Sequence, residues 1–179
     1  STSYLLSQAD VGTKLSVRVS YTDGEGTDEA VTSTATDVVA NVNDSPTGSI
    51  IISCTARQDE TLTAAVPGLS DLDGLGSLSY QWLRDGAAID GATSTSYVLS
   101  QADVGTKLSV RVSYTDGEGT DEAVTSTATD VVANVNDSPT GSIIISGTAR
   151  QDETLTAAVP GLSDLDGLGS LSYQWLRDG

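Results

Sequence analysis

Ser1–Gly86 recurs as Ser94–Gly179, an offset of 93 positions, and the two copies differ only at Leu5/Val98 and Cys54/Gly147. A period this long confines the chain to a fold that one unit can build alone and that neighbouring units can extend. Each unit is large enough for a small core of its own, so the expectation is a string of similar beads. Near-identical tandem copies lengthen an array without adding new chemistry.

The chain enters the period partway through one copy, and the residues skipped between Gly86 and Ser94 are Ala87–Thr93. Asp85-Gly86 and Asp90-Gly91 are turn dipeptides, so that segment is expected to connect strands at the surface. The better boundaries are the polar Asn-Val-Asn-Asp-Ser-Pro segments, Asn41–Pro46 and Asn134–Pro139, where a proline interrupts pairing. This divides the chain into a C-terminal half-unit over 1–45, a complete unit over 46–138 and an N-terminal half-unit over 139–179.

Within the complete unit, short β-branched runs separated by turn residues predict strands at Ser49–Ser53, Glu60–Val66, Ser77–Arg84 and Thr95–Leu99. Ser100–Asp103 reads as a capped turn. Leu108, Val110, Val112 and Tyr114 then alternate with Ser109, Arg111 and Ser113, the pattern of a strand with one face in a core and one in water. A Gly-rich turn at Asp116–Asp121 leads into a last strand over Ala123–Val132. Seven short strands and no long helix suit an all-β sandwich. Trp82, at an inward position in a chain that lacks Phe, is read as core and not as the wall of a ligand pocket.

The formal charge of −17, from 25 acidic and 8 basic residues, argues against nucleic acid and anionic membrane as partners. The β-branched alternation with Trp82 and Tyr80 argues against a disordered acidic chain. No run approaches the ~20 apolar residues of a spanning helix, and no signal peptide is visible, so any secretion signal is expected elsewhere. The repeat has no cysteine pair. Cys54, absent from the other copy, is read as drift or an introduced handle and not as a nucleophile. With no His and no Ser paired to an evident base, an enzyme is not expected.

Tyr80-Gln81-Trp82, followed by Ala102-Asp103-Val104-Gly105-Thr106-Lys107-Leu108-Ser109-Val110, resembles an immunoglobulin-type sandwich in its core Trp and Asp-x-Gly corner, with the family's two cysteines and corner tyrosine replaced. With the Asn-Asp-x-Pro junctions, the repeat resembles the bacterial immunoglobulin-like, cadherin-like extender repeats of large calcium-dependent RTX adhesins. The resemblance implies an extracellular place on a bacterial surface, units joined by calcium-binding linkers, and a role in projecting a distant ligand-binding region.

The residues themselves offer a place for such an ion. Asp71-Leu72-Asp73-Gly74, repeated as Asp164-Leu165-Asp166-Gly167, sends two carboxylates to one side of a tight turn, which suits a hard cation but also suits an ordinary turn. In an immunoglobulin-type sandwich the linker enters beside two further connections. At the first junction this gathers Asn43 and Asp44, Asp71 and Asp73, and Asp116, Glu118 or Asp121. At the second, Asn136 and Asp137 meet Asp164 and Asp166, and the preceding unit can add Asp59, Glu60, Asp103 and Asp130. Carboxylates so close repel strongly, and Ca2+ would relieve them. Bound across a linker, the ion would favour the straight arrangement. The partners expected are neighbouring repeats of the same chain. The tail half of one molecule is expected to complete the head half of the next, with Asp23, Glu25 or Asp28 joining Asp164 and Asp166 at a shared site. The rival expectation is an immunoglobulin-like module that itself binds a carbohydrate or protein. Its faces, rich in Ser, Thr, Ala and Gly, offer few anchors for that role.

Overall fold

The computed structural model describes residues 1–178 and is all-β, with several antiparallel sheets and no α-helix among those residues. At the N-terminal end, a 3₁₀ turn at Gln8–Asp10 precedes a hairpin of β1 (Arg18–Thr22) and β2 (Asp28–Thr32). The middle of the chain holds seven strands: β3 (Ile51–Ser53), β4 (Thr61–Ala65), β5 (Ser79–Arg84), β6 (Ala87–Ala88), β7 (Ser96–Val98), β8 (Leu108–Thr115) and β9 (Asp121–Thr125). A second 3₁₀ turn, Gln101–Asp103, lies between β7 and β8. Past the second proline junction, β10 (Ile144–Ser146) pairs with β11 (Thr156–Ala158).

The seven middle strands form two sheets, ordered β3-β4-β7 and β6-β5-β8-β9. Strict alternation dictates how they meet. Leu108, Val110, Val112 and Tyr114 are buried while Arg111 and Thr115 face solvent, and on β4 Leu62 and Ala64 are buried between exposed Thr61, Thr63 and Ala65. Leu62, Trp82, Val110 and Val112 belong to one core cluster, closed by Ile50, Leu99, Leu108 and Val132. The two sheets therefore share a single apolar interior, an arrangement consistent with a β-sandwich. Trp82 sits at its centre fully buried; its indole N–H donates to Ser94 O at 2.9 Å, and its ring lies 5.8 Å from that of Tyr97. This satisfies the one polar atom that burial would otherwise strand.

Expected and observed strands agree to within a few residues, with two differences. The last strand was expected to run to Val132, but β9 ends at Thr125. Beyond it, the hydroxyls of Ser126 and Thr129 accept from Val110 N (3.0 Å) and Leu108 N (3.1 Å), so side chains replace carbonyls in the ladder. The segment Ala87–Thr93, expected as a loop, also contributes β6, and Ile89 and Ala92 pack against the core.

Cys54 has φ of 95°, a conformation that L side chains rarely adopt, and its counterpart Gly147 has φ of 114°. The position suits glycine. Replacing Cys54→Gly is expected to stabilise the middle unit by about 1 kcal/mol, a rise in Tm of roughly 4–8 °C for a unit of this size. Thermal unfolding followed by circular dichroism will test it.

Candidate functional site: the acidic junctions

The turn after β4 and the turn between β8 and β9 meet beside the linker that enters the middle unit. Asp71 Oδ1 accepts from Asp73 N at 2.9 Å, the bond that closes an Asp-x-Asp turn. Asp71 Oδ2 accepts from the Tyr114 hydroxyl at 2.6 Å, which ties the turn to β8. Burial, together with that carboxylate, pushes the Tyr114 phenol well above its ordinary value. The second turn is drawn against the first by Gly117, whose N–H donates to Asp73 O at 2.9 Å. A Cβ on Gly117 would stand 2.5 Å from that oxygen, so the approach requires glycine.

Asp73 is the centre of the first junction. Its buried carboxylate accepts from Asp44 N of the linker at 2.7 Å through Oδ2, and from Gln8 Nε2 of the preceding segment at 2.8 Å through Oδ1. One side chain thus holds both the linker and the residues before it. Asn43 adds a bond from Nδ2 to Glu122 Oε1 at 2.8 Å on β9. Asp116 is also buried, and its Oδ1 accepts from Glu118 N and Thr120 N at 2.9 and 2.7 Å. Its Oδ2 is buried without a partner, as is Oδ1 of Asn41 in the linker.

The second junction repeats the pattern. Asp137 N donates to Asp166 Oδ2 at 2.8 Å, and Asp164 Oδ1 accepts from Asp166 N at 2.9 Å. The bond from Asp137 N, joined by the side-chain amides of Asn134 and Gln101, holds the Asp166 carboxyl below its ordinary value. The preceding unit also grips the linker through Gln58, which is buried. Its Nε2 donates to Asp137 Oδ2 at 2.8 Å and its Oε1 accepts from Val135 N at 3.1 Å. Asn136 donates only to the adjacent Asp137 carbonyl.

The other expected residues fall elsewhere. Glu118 is exposed on its turn, and Asp121 caps the strand end by accepting from Thr115 Oγ1 at 2.7 Å. Asp59, Glu60 and Asp130 are exposed, and no hydrogen bond joins their side chains to the second junction. Asp103 is fully buried. It pairs with Arg84 at 2.6 Å and accepts from Ser100 N, the Ser100 hydroxyl and the Tyr97 hydroxyl, so its oxygens serve the interior of the unit. At the N-terminal end, Asp23 accepts from Glu25 N and Thr27 N, while Asp28 accepts from the Thr22 hydroxyl. Asp23, Glu25 and Asp28 do not meet Asp164 and Asp166 within one chain. Among the described residues, no three carboxylates or other ligating side chains are gathered as a ready cation cage.

The amides that complete each junction, Gln8, Gln58 and Gln101, were missed by sequence reasoning. Gln58 stands between Arg57 and Asp59 in a stretch that reads as an ordinary polar turn, and only the fold reveals that it points inward.

No protein-family model matches the chain, and neither the curated proteins nor the solved structures give a match.

Burial raises the Asp103 pKa, but the bonds from Ser100 and Arg84 outweigh it and leave the group below its ordinary value. A carboxyl depressed in the folded state stabilises above its unfolded pKa, and the contribution disappears as pH falls through the lowered value. Asp103→Asn is therefore expected to cost about 2–3 kcal/mol at neutral pH, in proportion to the loss of a buried charged pair that leaves Arg84 partly solvated. Its stability should also fall less steeply than that of the parent below pH ~4. Urea unfolding at a series of pH values will measure both.

Proposed function

We propose that this chain is part of a structural extender array on a bacterial surface, built from immunoglobulin-like units held in line by Ca2+ at their junctions so that a distant ligand-binding region is carried away from the cell. The observation that carries this reading is the recurrence of one clasp, at Asp73 and again at Asp166, at the same 93-residue spacing as the sequence repeat. A clasp repeated at every junction serves an array, because each unit need only recognise the next.

The strand order supports an immunoglobulin-like unit: one sheet of β3-β4-β7 faces another of β6-β5-β8-β9, with Trp82 on the strand that carries the core Trp in such folds. The donor set also suits calcium. It consists of oxygens only, and two of them, Asp116 Oδ2 and Asn41 Oδ1, are buried without a hydrogen. A buried carboxylate oxygen with no partner is costly, and a hard cation with irregular oxygen coordination removes the cost. Asn41, Asp44, Asp71, Asp73 and Asp116 would have to draw together to hold it at the first junction, and Asp137, Asp164 and Asp166 at the second, since no three of the carboxylates stand gathered as a ready cage among the described residues. The ion's part there is to neutralise charge and to coordinate oxygens. The chain's own part is to bring linker and turns together: Gly117 sets the approach of the two turns, and the amides of Gln8 and Gln58 reach across from the preceding residues.

Binding across a junction stabilises the aligned arrangement in proportion to its free energy, so removing calcium should loosen the rod. Small-angle scattering of a polypeptide containing two or more whole units is expected to show a smaller mean maximum dimension and a broader distance distribution after chelation. The same protein with Asp73→Asn and Asp166→Asn should scatter alike in calcium and in chelator. Identical scattering of the parent in both conditions would defeat the calcium reading.

A further inference from the structure

Where the chain leaves the middle unit, Ala56–Gln58 runs parallel to the last residues of that unit, with Arg57 opposite Ala133. Ala133 N donates to Ala56 O and Gln58 N donates to Ala133 O, both at 2.9 Å. The Gln58 side chain continues this pairing where the backbone stops. Its Oε1 accepts from Val135 N at 3.1 Å, and its Nε2 donates to Asp137 Oδ2 at 2.8 Å. Residues 133, 135 and 137 are alternate positions of one extended segment, so the bonds follow the two-residue period of a strand.

The segment is anchored before it reaches this pairing. Val132 is buried, its N–H donates to Thr106 O at 2.9 Å, and its carbonyl accepts from Gly105 N at 3.0 Å. Gln58 itself is 4% exposed, so water does not stand ready to replace its bonds as they lengthen.

The direction of the two segments decides how these bonds meet tension. The chain comes to Ala56 from the entry linker, tied on the way by the Thr47–Ser70 bridge, and it leaves Ala133 toward the exit linker. Pulled by the two linkers, parallel segments are drawn past each other along their common axis. The bonds between them then strain together, whereas segments pulled apart from one shared end would open their bonds one at a time.

We infer that Ala56–Gln58 and Ala133–Asp137 form a clasp that resists tension along the array, in which the Gln58 amide extends one backbone bridge into four bonds loaded in shear. The inference rests on the array reading only for the direction of pull, and it involves no ion.

Constant-force extension of the 179-residue chain, tethered at its two ends and kept in chelator, tests the clasp apart from the calcium reading. Release of residues 46–138 is recognised by a gain in length on the order of 300 Å. Gln58→Leu keeps the bulk of the side chain and removes both of its bonds. This variant is expected to unfold roughly tenfold faster at the same force, the factor that ~1.4 kcal/mol off a barrier gives. Asp137→Ala removes only the outer bond, lies in the linker, and should give a smaller acceleration; it decides the matter if Gln58→Leu does not fold. Val124→Ala, on β9 against the core and outside the clasp, should lower the melting temperature yet unfold under force at nearly the parent rate. Gln58→Leu or Asp137→Ala unfolding at the parent rate, or Val124→Ala accelerating as much as either, would overturn the inference.

Discussion

A carboxylate that accepts the backbone amide of the incoming linker fixes each junction, and the rest of the arrangement depends on it. At the first junction Asp73 takes Asp44 N and Gln8 Nε2 together, so the turn that holds the linker also holds the segment before it. Charge-assisted bonds of this kind are stronger than neutral ones, and here they lie partly out of water. They also carry a cost. Asp71, Asp73 and Asp116 bring negative charge to adjoining turns, and one oxygen of Asp116 is buried with no hydrogen to accept. In the proposed function, alignment and calcium dependence share an origin, because the turns that hold the linker also carry these carboxylates.

The chain holds one complete experiment in its own sequence. Identical segments are buried in the middle unit and exposed at the ends, so the difference cannot lie in local propensity. The β1–β2 hairpin forms with the same partner spacing as β8–β9, Val19 opposite Val31 as Val112 is opposite Val124. What the ends lack is the opposing sheet. Strand pairing here is local, whereas burial needs both sheets.

Much of the fold was legible because its periodicities are strong. The alternation over Leu108–Tyr114 reports its buried face directly, and Trp82 reads as core because the chain has few other large side chains to fill one. The strand ends were less legible: Ser126 and Thr129 look like β-formers, and only the structure shows their hydroxyls taking over the ladder. At the junctions, the Asp-x-Asp-Gly spacing marks the turns whose Asp73 and Asp166 accept the linker amides. Acidic residues alone could not distinguish Asp73, which grips the linker, from Asp103, which is committed to Arg84 inside the unit. That distinction depends on side-chain direction across long sequence separations, as does the role of Gln58, and spacing carries no record of it.

The clasp at Asp73 and Asp166 can be observed at the two amides it engages. Hydrogen exchange at Asp44 N and Asp137 N, followed by NMR first in chelator and then in calcium, measures that engagement directly. The account predicts protection of both amides relative to the exposed Asn43 and Asn136, and slower exchange once calcium is added. Exchange of both at the rates of an unstructured linker, in either condition, would contradict it.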